Sequence, residues 1–99
     1  MKSILQDKKE CFITGRTDSL HKHHVIGGPY RKKSEKWGLY IYLIPELHNM
    51  SSKGIHFDET FNLRMKMHAQ RVFEEKYSHE LWMHEFHKNY LTKGDEDGI

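Results

Sequence analysis

The stretch WGLYIYLIP, residues 37–45, restricts the fold of this chain more than any other part of its sequence. It places aromatic and β-branched residues between Gly38 and Pro45, a pattern typical of a β-strand. Two shorter candidates precede it, residues 11–14 and residues 20–26, each followed by glycine. The sequence therefore predicts short strands in the first half of the chain.

Helical patterns dominate the second half. Pro45 is suited to the first turn of a short helix within PELHNMSS. Asp58 is a good N-cap for a long helix over residues 59–76, where apolar residues recur at intervals of three or four. Ser78 is the expected cap of a last helix that extends to about Tyr90.

The order of these elements predicts an α+β fold for one domain of 99 residues. Residues 1–10 are expected to form a polar lead-in with one helical turn at most. The basic segment RKKSEK, residues 31–36, is expected to be a loop, and residues 92–99 are expected to fray.

Composition narrows the class of protein. The single cysteine, Cys11, excludes an internal disulfide and a cysteine-only zinc cluster. No apolar run approaches the roughly 18 residues that span a bilayer, and the first ten residues do not resemble a signal peptide. We therefore expect a cytoplasmic protein without a membrane partner. Sixteen cations oppose fourteen anions, but the cations concentrate in residues 8–36, a segment that could meet a polyanion.

Nine histidines are the most informative residues of the chain. Four of them, on the predicted C-terminal helices, are expected to have ordinary surface roles: His68, His79, His84 and His87. The other five stand where the backbone is expected to change direction: His21, His23, His24, His48 and His56. Imidazoles that converge from separate segments suit zinc, manganese or nickel with an open coordination position.

The motifs CFITGR, LHKHHVIGGPYRKKS, GLYIYLIPELHN and GIHF, taken together, resemble the HNH endonucleases. These enzymes carry the ββα-metal (His-Me) finger, a short antiparallel hairpin followed by a helix. More narrowly, the chain resembles small phage or prophage HNH nucleases related to recombination-linked nucleases. The resemblance covers a finger core at residues 11–57, and residues 58–91 would form a helical extension.

The resemblance implies a role for each of four histidines. His23 becomes a metal ligand and His24 the general base, and His48 and His56 become further ligands of one divalent ion (Zn, Mg, Mn or Ni). The implied activity is hydrolysis of phosphodiester bonds in DNA with little sequence specificity, nicking one strand per site. This division suits the chemistry, because hydrolysis needs a base for the attacking water and a cation near the leaving oxygen.

Three features depart from the family pattern. Residues 25–47 contain no asparagine, although the family places one there to orient the base. No second cysteine accompanies Cys11, so no structural zinc is expected. Strict alternation along a strand would aim His23 and His24 at opposite faces, which keeps His21 as a reserve candidate for a ligand.

Four basic residues follow the expected base, His24, and are expected to contact phosphates without reading sequence: Arg31, Lys32, Lys33 and Lys36. DNA is the expected partner, RNA stays open, and so does a homodimer or a phage or host recombination partner. Tyr30 and Trp37 are expected to pack against the core rather than stack on a base.

Two other functions stay open: a non-catalytic nucleic-acid-binding or recombination-accessory protein that retains the finger, and a protein–protein module that uses residues 59–90.

Overall fold

The computed structural model describes residues 2–91. In chain order, this part of the protein contains strand β1 (His21–His24), a 3-10 turn (Gly28–Tyr30), helix α1 (Arg31–Trp37), strand β2 (Tyr40–Leu43), helix α2 (Pro45–His48), helix α3 (Glu59–Lys76) and helix α4 (His79–Phe86). The tail predicted to fray, residues 92–99, lies outside the described residues.

The two strands form an antiparallel hairpin, in which His23 lies opposite Ile41. Successive residues of a strand point to opposite faces. His21 and His23 therefore project from one face of the hairpin, and Lys22 and His24 project from the other. The prediction of an α+β protein in which a hairpin is followed by helices is confirmed. The finer assignment to a ββα-metal finger stays a prediction.

Residues 11–14 do not form the predicted strand. The backbone turns here instead, because the Gly15 amide donates to the Cys11 carbonyl at 2.8 Å. Only an isolated bridge joins Cys11 to Tyr42 of β2.

The basic segment predicted as a loop is instead most of helix α1. Its lysines, arginine and glutamate are good helix formers, and Pro29 opens the 3-10 turn that leads into it. Gly38 ends the helix with a φ of 72°. A side chain at Gly38 would also clash with the Lys2 carbonyl oxygen, so only glycine fits this position.

The N-terminal segment lies along β2 and contains no helical turn within residues 2–10. The Ser3 hydroxyl donates to the Tyr40 carbonyl at 2.6 Å. The Gln6 side-chain oxygen accepts from the Tyr42 amide at 2.7 Å. These side chains satisfy backbone groups that an edge strand would otherwise leave unpaired.

Helices α3 and α4 begin at the predicted caps. The side chains of Asp58 and Ser78 accept hydrogen bonds from the amides of Phe61 and Leu81, respectively. Helix α4 ends at Phe86 rather than at Tyr90, because His87 adopts a left-handed backbone conformation with a φ of 59°. Helix α2 is likewise shorter than the predicted PELHNMSS segment.

The core joins the hairpin to these helices. Phe73, Trp82 and Phe86 are fully buried and lie in one cluster with Ile41 and Leu43 of β2. As predicted, Tyr30 and Trp37 pack against this cluster. Within residues 2–91, no helix is both long and apolar enough to cross a membrane.

Candidate metal centre

Three histidines from three segments converge on one point. His23 lies on β1, His48 ends α2, and His56 follows the loop after α2. One nitrogen of each ring lies within 4.8 Å of the corresponding nitrogens of the other two. The Nε2 atoms of His48 and His56 are 3.0 Å apart. These three imidazoles, the trio of His23, His48 and His56, are therefore close enough to bind one metal ion. They are the metal ligands predicted from the sequence.

Gly54 allows His56 to approach His48. The amide of His56 donates to the His48 carbonyl at 3.2 Å, and the amide of Ile55 donates to the Leu47 carbonyl at 2.8 Å. A Cβ on Gly54 would lie only 2.7 Å from the His48 carbonyl oxygen. Any other residue would push the loop away, so the glycine brings the two rings together despite their separation in sequence.

His23 is buried, with 6% of its surface exposed. Its Nε2 atom is the one buried side-chain nitrogen or oxygen in residues 2–91 that has no hydrogen-bond partner. Burial, and then the charge that His48 and His56 can carry, lowers the pKa of His23 to about 3. Partial burial, and then the charge on His56, lowers the pKa of His48 to about 4.

Both of these rings are neutral at pH 7 and offer lone pairs, which is the state that metal binding requires. An unpartnered buried ring nitrogen is unfavourable unless something binds it. The donor set therefore fits a bound metal ion.

His21 contacts the metal centre through His48. The Nδ1 atoms of the two rings are 3.1 Å apart. If His48 binds a metal through Nε2, its Nδ1 carries the proton and donates it to His21. Such a contact fixes the tautomer and orientation of a ligand. His21, the reserve candidate for a ligand, thus lies beside the trio as a hydrogen-bond partner of one ligand.

His24 projects from the opposite face of the hairpin, and its side chain is 12% exposed. Its Nε2 atom lies 2.8 Å from Oε1 of Glu35, a residue of α1. The same carboxylate accepts from Nζ of Lys22 at 3.2 Å. The hydrogen bond from His24, and then the one from Lys22, hold the pKa of Glu35 below its usual value. Glu35 is therefore a charged acceptor at pH 7.

Ser34 sets the position of Glu35. The Ser34 hydroxyl donates to the Ile26 carbonyl at 2.6 Å and accepts from the Ile26 amide at 3.2 Å. This buried pair ties α1 to the end of β1, so the next residue of the helix faces His24. Sequence reasoning missed Glu35, because a single glutamate inside a run of lysines gives no signal for such a contact.

The predicted base and the trio share a cleft of about 270 Å³ at the end of β1. The cleft is lined by Lys22, His23, His24, Gly27, Gly28, Arg31, His48 and His56. Alternation does separate the rings of His23 and His24, as expected. The strand ends directly after His24, however, and both residues border the space beyond that end.

The four predicted phosphate-binding residues have different surroundings. Arg31 lines the cleft, and its Nε atom lies 3.4 Å from Nδ1 of His24. Lys32 is exposed. Lys33 donates to the Glu85 carbonyl of α4 at 2.9 Å. Lys36 lies over the Trp37 ring. Only Arg31 of this set reaches the cleft.

The histidines of α3 and α4, together with His87, take no part in this site. His79 is exposed and pairs with Glu74 at 2.7 Å, and His84 is also exposed. The ring of His68 packs near Phe12. Within residues 2–91, the trio is the one group of three or more such side chains close enough to hold an ion.

Comparisons with models of known families, with curated proteins and with solved structures found no match to this chain. Function must therefore be inferred from the site itself.

Proposed function

We propose that this protein is a metal-dependent endonuclease of the HNH type, which hydrolyses phosphodiester bonds of DNA. The observation that carries the proposal is the cleft at the end of β1. One side of it presents three mutually close imidazoles, and the other presents a histidine whose Nε2 atom is held by a carboxylate. These are the two components that hydrolysis of a phosphodiester needs.

His23, His48 and His56 would hold the ion. When bound, a divalent cation stabilises the negative charge that develops on the leaving oxygen. Three imidazoles and no carboxylate suit Zn, Mn or Ni better than Mg, which prefers oxygen ligands.

His24 would act as the general base. Its Nε2–H group donates to Glu35, which leaves the lone pair on Nδ1 free to accept a proton. Arg31 now donates to that Nδ1 atom over a long 3.4 Å contact. A phosphate in the cleft would attract the guanidinium, and Nδ1 would then be free for the attacking water.

Glu35 would do for His24 what the missing asparagine does in the family. The carboxylate fixes the tautomer of the base and stabilises the imidazolium that forms when the base accepts a proton. The same arrangement of acceptor and base is found in other hydrolytic sites. The absence of an asparagine from residues 25–47 is thus compatible with catalysis.

One site of this kind acts on one strand, so a monomer would nick DNA. Cutting both strands would need a second copy or a second event. Contacts to phosphates do not read sequence, so we infer little sequence preference and keep RNA as a second possible substrate.

A plasmid-nicking assay tests the proposal. Supercoiled plasmid is incubated with the protein after chelation and again after Zn²⁺, Mn²⁺, Ni²⁺ or Mg²⁺ is restored. We expect open-circular product only when a metal is present, and none from the His24→Ala variant. Binding of the plasmid without nicking under every metal would instead favour a non-catalytic nucleic-acid-binding or recombination-accessory role, for which the absence of the central asparagine is the sequence argument.

A further inference from the structure

The metal cleft continues into a second lobe of about 280 Å³. The two lobes share His23, His24, Gly27, Gly28 and His56 as lining residues. The residues that line the second lobe alone are Val25, Ile26, Tyr30, Asn62, Lys66 and Tyr90. A polymer that binds with one phosphate between the trio and His24 could therefore place its next unit in the second lobe.

Lys66 is the cation of the second lobe. It is half-buried on α3, and it forms no ion pair with any carboxylate of residues 2–91. Burial, and then the charge on Lys88, lowers the pKa of Lys66. A partly desolvated ammonium group without a carboxylate is stabilised by an anion that enters the lobe.

Two tyrosines give the lobe aromatic walls. Tyr30 and Tyr90 both line the lobe, and burial, followed by the charge that Tyr30 can carry, raises the pKa of Tyr90. The Nζ atom of Lys66 lies 5.5 Å from the Tyr90 ring centroid. Asn62 precedes Lys66 by one turn of α3 and offers amide donors and acceptors on the same face. Aromatic rings beside a cation and an amide are typical of sites that bind nucleotides.

We propose that the second lobe is a subsite for the nucleotide next to the scissile phosphate, with Lys66 binding that nucleotide's phosphate and Tyr90 contacting its base. The subsite rests on the proposed nuclease function, since it extends the same cleft. It adds a phosphate contact from α3, far in sequence from the basic segment at residues 31–36.

Lys88 supplies a matched control. Its Nζ atom lies over the same Tyr90 ring, at 5.1 Å from the centroid. Lys88 is exposed, however, and does not line the lobe. Lys66→Gln and Lys88→Gln therefore make the same change of charge beside the same aromatic ring, and only the first removes a cation from the cleft.

The test measures binding of a labelled single-stranded oligonucleotide by fluorescence anisotropy across a series of salt concentrations. The protein carries His24→Ala, so that the probe is not cut. We expect Lys66→Gln to weaken binding about tenfold and to reduce the salt slope by about one ion, because one phosphate contact is lost. Lys88→Gln should change the affinity and the salt slope much less. Lys66→Arg should restore most of the affinity.

Two further measurements separate the subsite from a structural effect. Hydrolysis of bis(p-nitrophenyl) phosphate, which has no neighbouring nucleotide, should be equal in Lys66→Gln and Lys88→Gln proteins that keep His24. Zn²⁺ affinity, measured by calorimetry, should also be equal. Equal oligonucleotide affinities and salt slopes for the two variants would overturn the subsite even if the protein nicks plasmid. A selective loss of affinity in Lys66→Gln would support the subsite even if no nicking is found.

Discussion

The Nε2 atom of His24 lies 2.8 Å from Oε1 of Glu35, so the proposed base and an ionised carboxylate form a direct pair. The pair joins the end of β1 to helix α1, which Ser34 anchors to the same strand end. A ring held in this way has one defined tautomer, with Nδ1 as the acceptor. The orientation of His24 therefore depends on a residue that lies outside the histidine motif.

Removal of this carboxylate should slow the chemical step. We expect Glu35→Ala to lower the single-turnover nicking rate by about tenfold to a hundredfold, because a base without a fixed tautomer is a less effective acceptor. Glu35→Gln should recover part of the rate, since an amide oxygen still accepts from Nε2–H. Metal affinity should not change in either variant. Glu75→Ala, which removes an exposed carboxylate of α3, is the control and should act as wild type.

Substitution of the base itself should separate catalysis from metal binding. We expect His24→Ala to lower nicking by about a hundredfold or more, the usual loss for a missing general base. Because His24 is not among the three converging imidazoles, its loss should leave the metal affinity measured by calorimetry nearly unchanged. If the ion were lost as well, His24 would be a ligand and the roles of His23 and His24 would have to be reversed.

The stability of the metal-free protein should fall as the pH is lowered below about 6.5. Burial depresses the pKa of His23 to about 3, whereas the unfolded chain binds that proton near pH 6.5. Between these values the unfolded state holds more protons, so stability is present above pH 6.5 and is lost progressively toward pH 3. For His23 alone, the loss between pH 7 and pH 5 is about 2 kcal/mol.

Urea unfolding in the presence of a chelator, at pH 7 and at pH 5, measures this loss. His23→Gln should show a smaller difference between the two pH values than wild type. Hydrogen bonds from His24 and Trp37 lower the pKa values of Glu35 and Glu85, respectively. The stability that these carboxylates contribute is therefore lost only as the pH falls below about 4.3, the ordinary glutamate pKa. An equal pH dependence in wild type and His23→Gln would contradict the burial of a neutral His23.

Local signals marked five of the nine histidines, and the resemblance to the HNH endonucleases selected the three ligands among them. His23 lies on a short strand before Gly27, His48 follows Pro45, and His56 follows Gly54. Glycine and proline mark changes of direction in any sequence, and a strand followed by a short helix places such points near each other. Strand β2 was predictable from its aromatic and β-branched residues, and the long helices from Asp58 and Ser78, which are preferred N-cap residues.

Glu35 and Lys66 were not predictable, because both act through contacts between elements that are far apart in sequence. Helix α1 looked like a loop because Ser34 is its one buried residue, so its sequence shows no apolar face. Lys66 is one of several polar residues on α3, and only the folded structure places it in the same cleft as His23 and His24. The prediction of a strand at residues 11–14 was wrong because the backbone turns between Cys11 and Gly15, although this segment contains apolar residues.

Replacement of two neighbouring lysines of α1 should have different effects, one on DNA binding and the other on stability. Lys32 is exposed and available to phosphates, so Lys32→Gln should weaken binding to all DNA sequences equally and reduce the salt slope by about one. Lys33 donates to the Glu85 carbonyl of α4. Lys33→Gln should therefore act mainly on folding, with a loss of about 1 kcal/mol or less. Affinity titrations at several salt concentrations and thermal melts distinguish the two effects.

His48 contacts two other histidines of the site. Its Nε2 atom faces His56, its Nδ1 atom faces His21, and its carbonyl accepts from the His56 amide. We expect His48→Ala to remove the bound ion and the nicking activity together. The thermal midpoint of the metal-loaded protein should fall as well, because binding to the folded state stabilises it.

A chelator should have the same effect on wild type and should change nothing further in His48→Ala. His84→Ala, which removes an exposed histidine of α4, should keep the ion, the activity and the thermal midpoint. A His48→Ala protein that still binds metal tightly and still nicks plasmid would refute the metal centre, because no other group of three such ligands lies within residues 2–91. Residues 21–33 would then be a basic, histidine-rich binding segment, and His24 with Glu35 would be a structural pair.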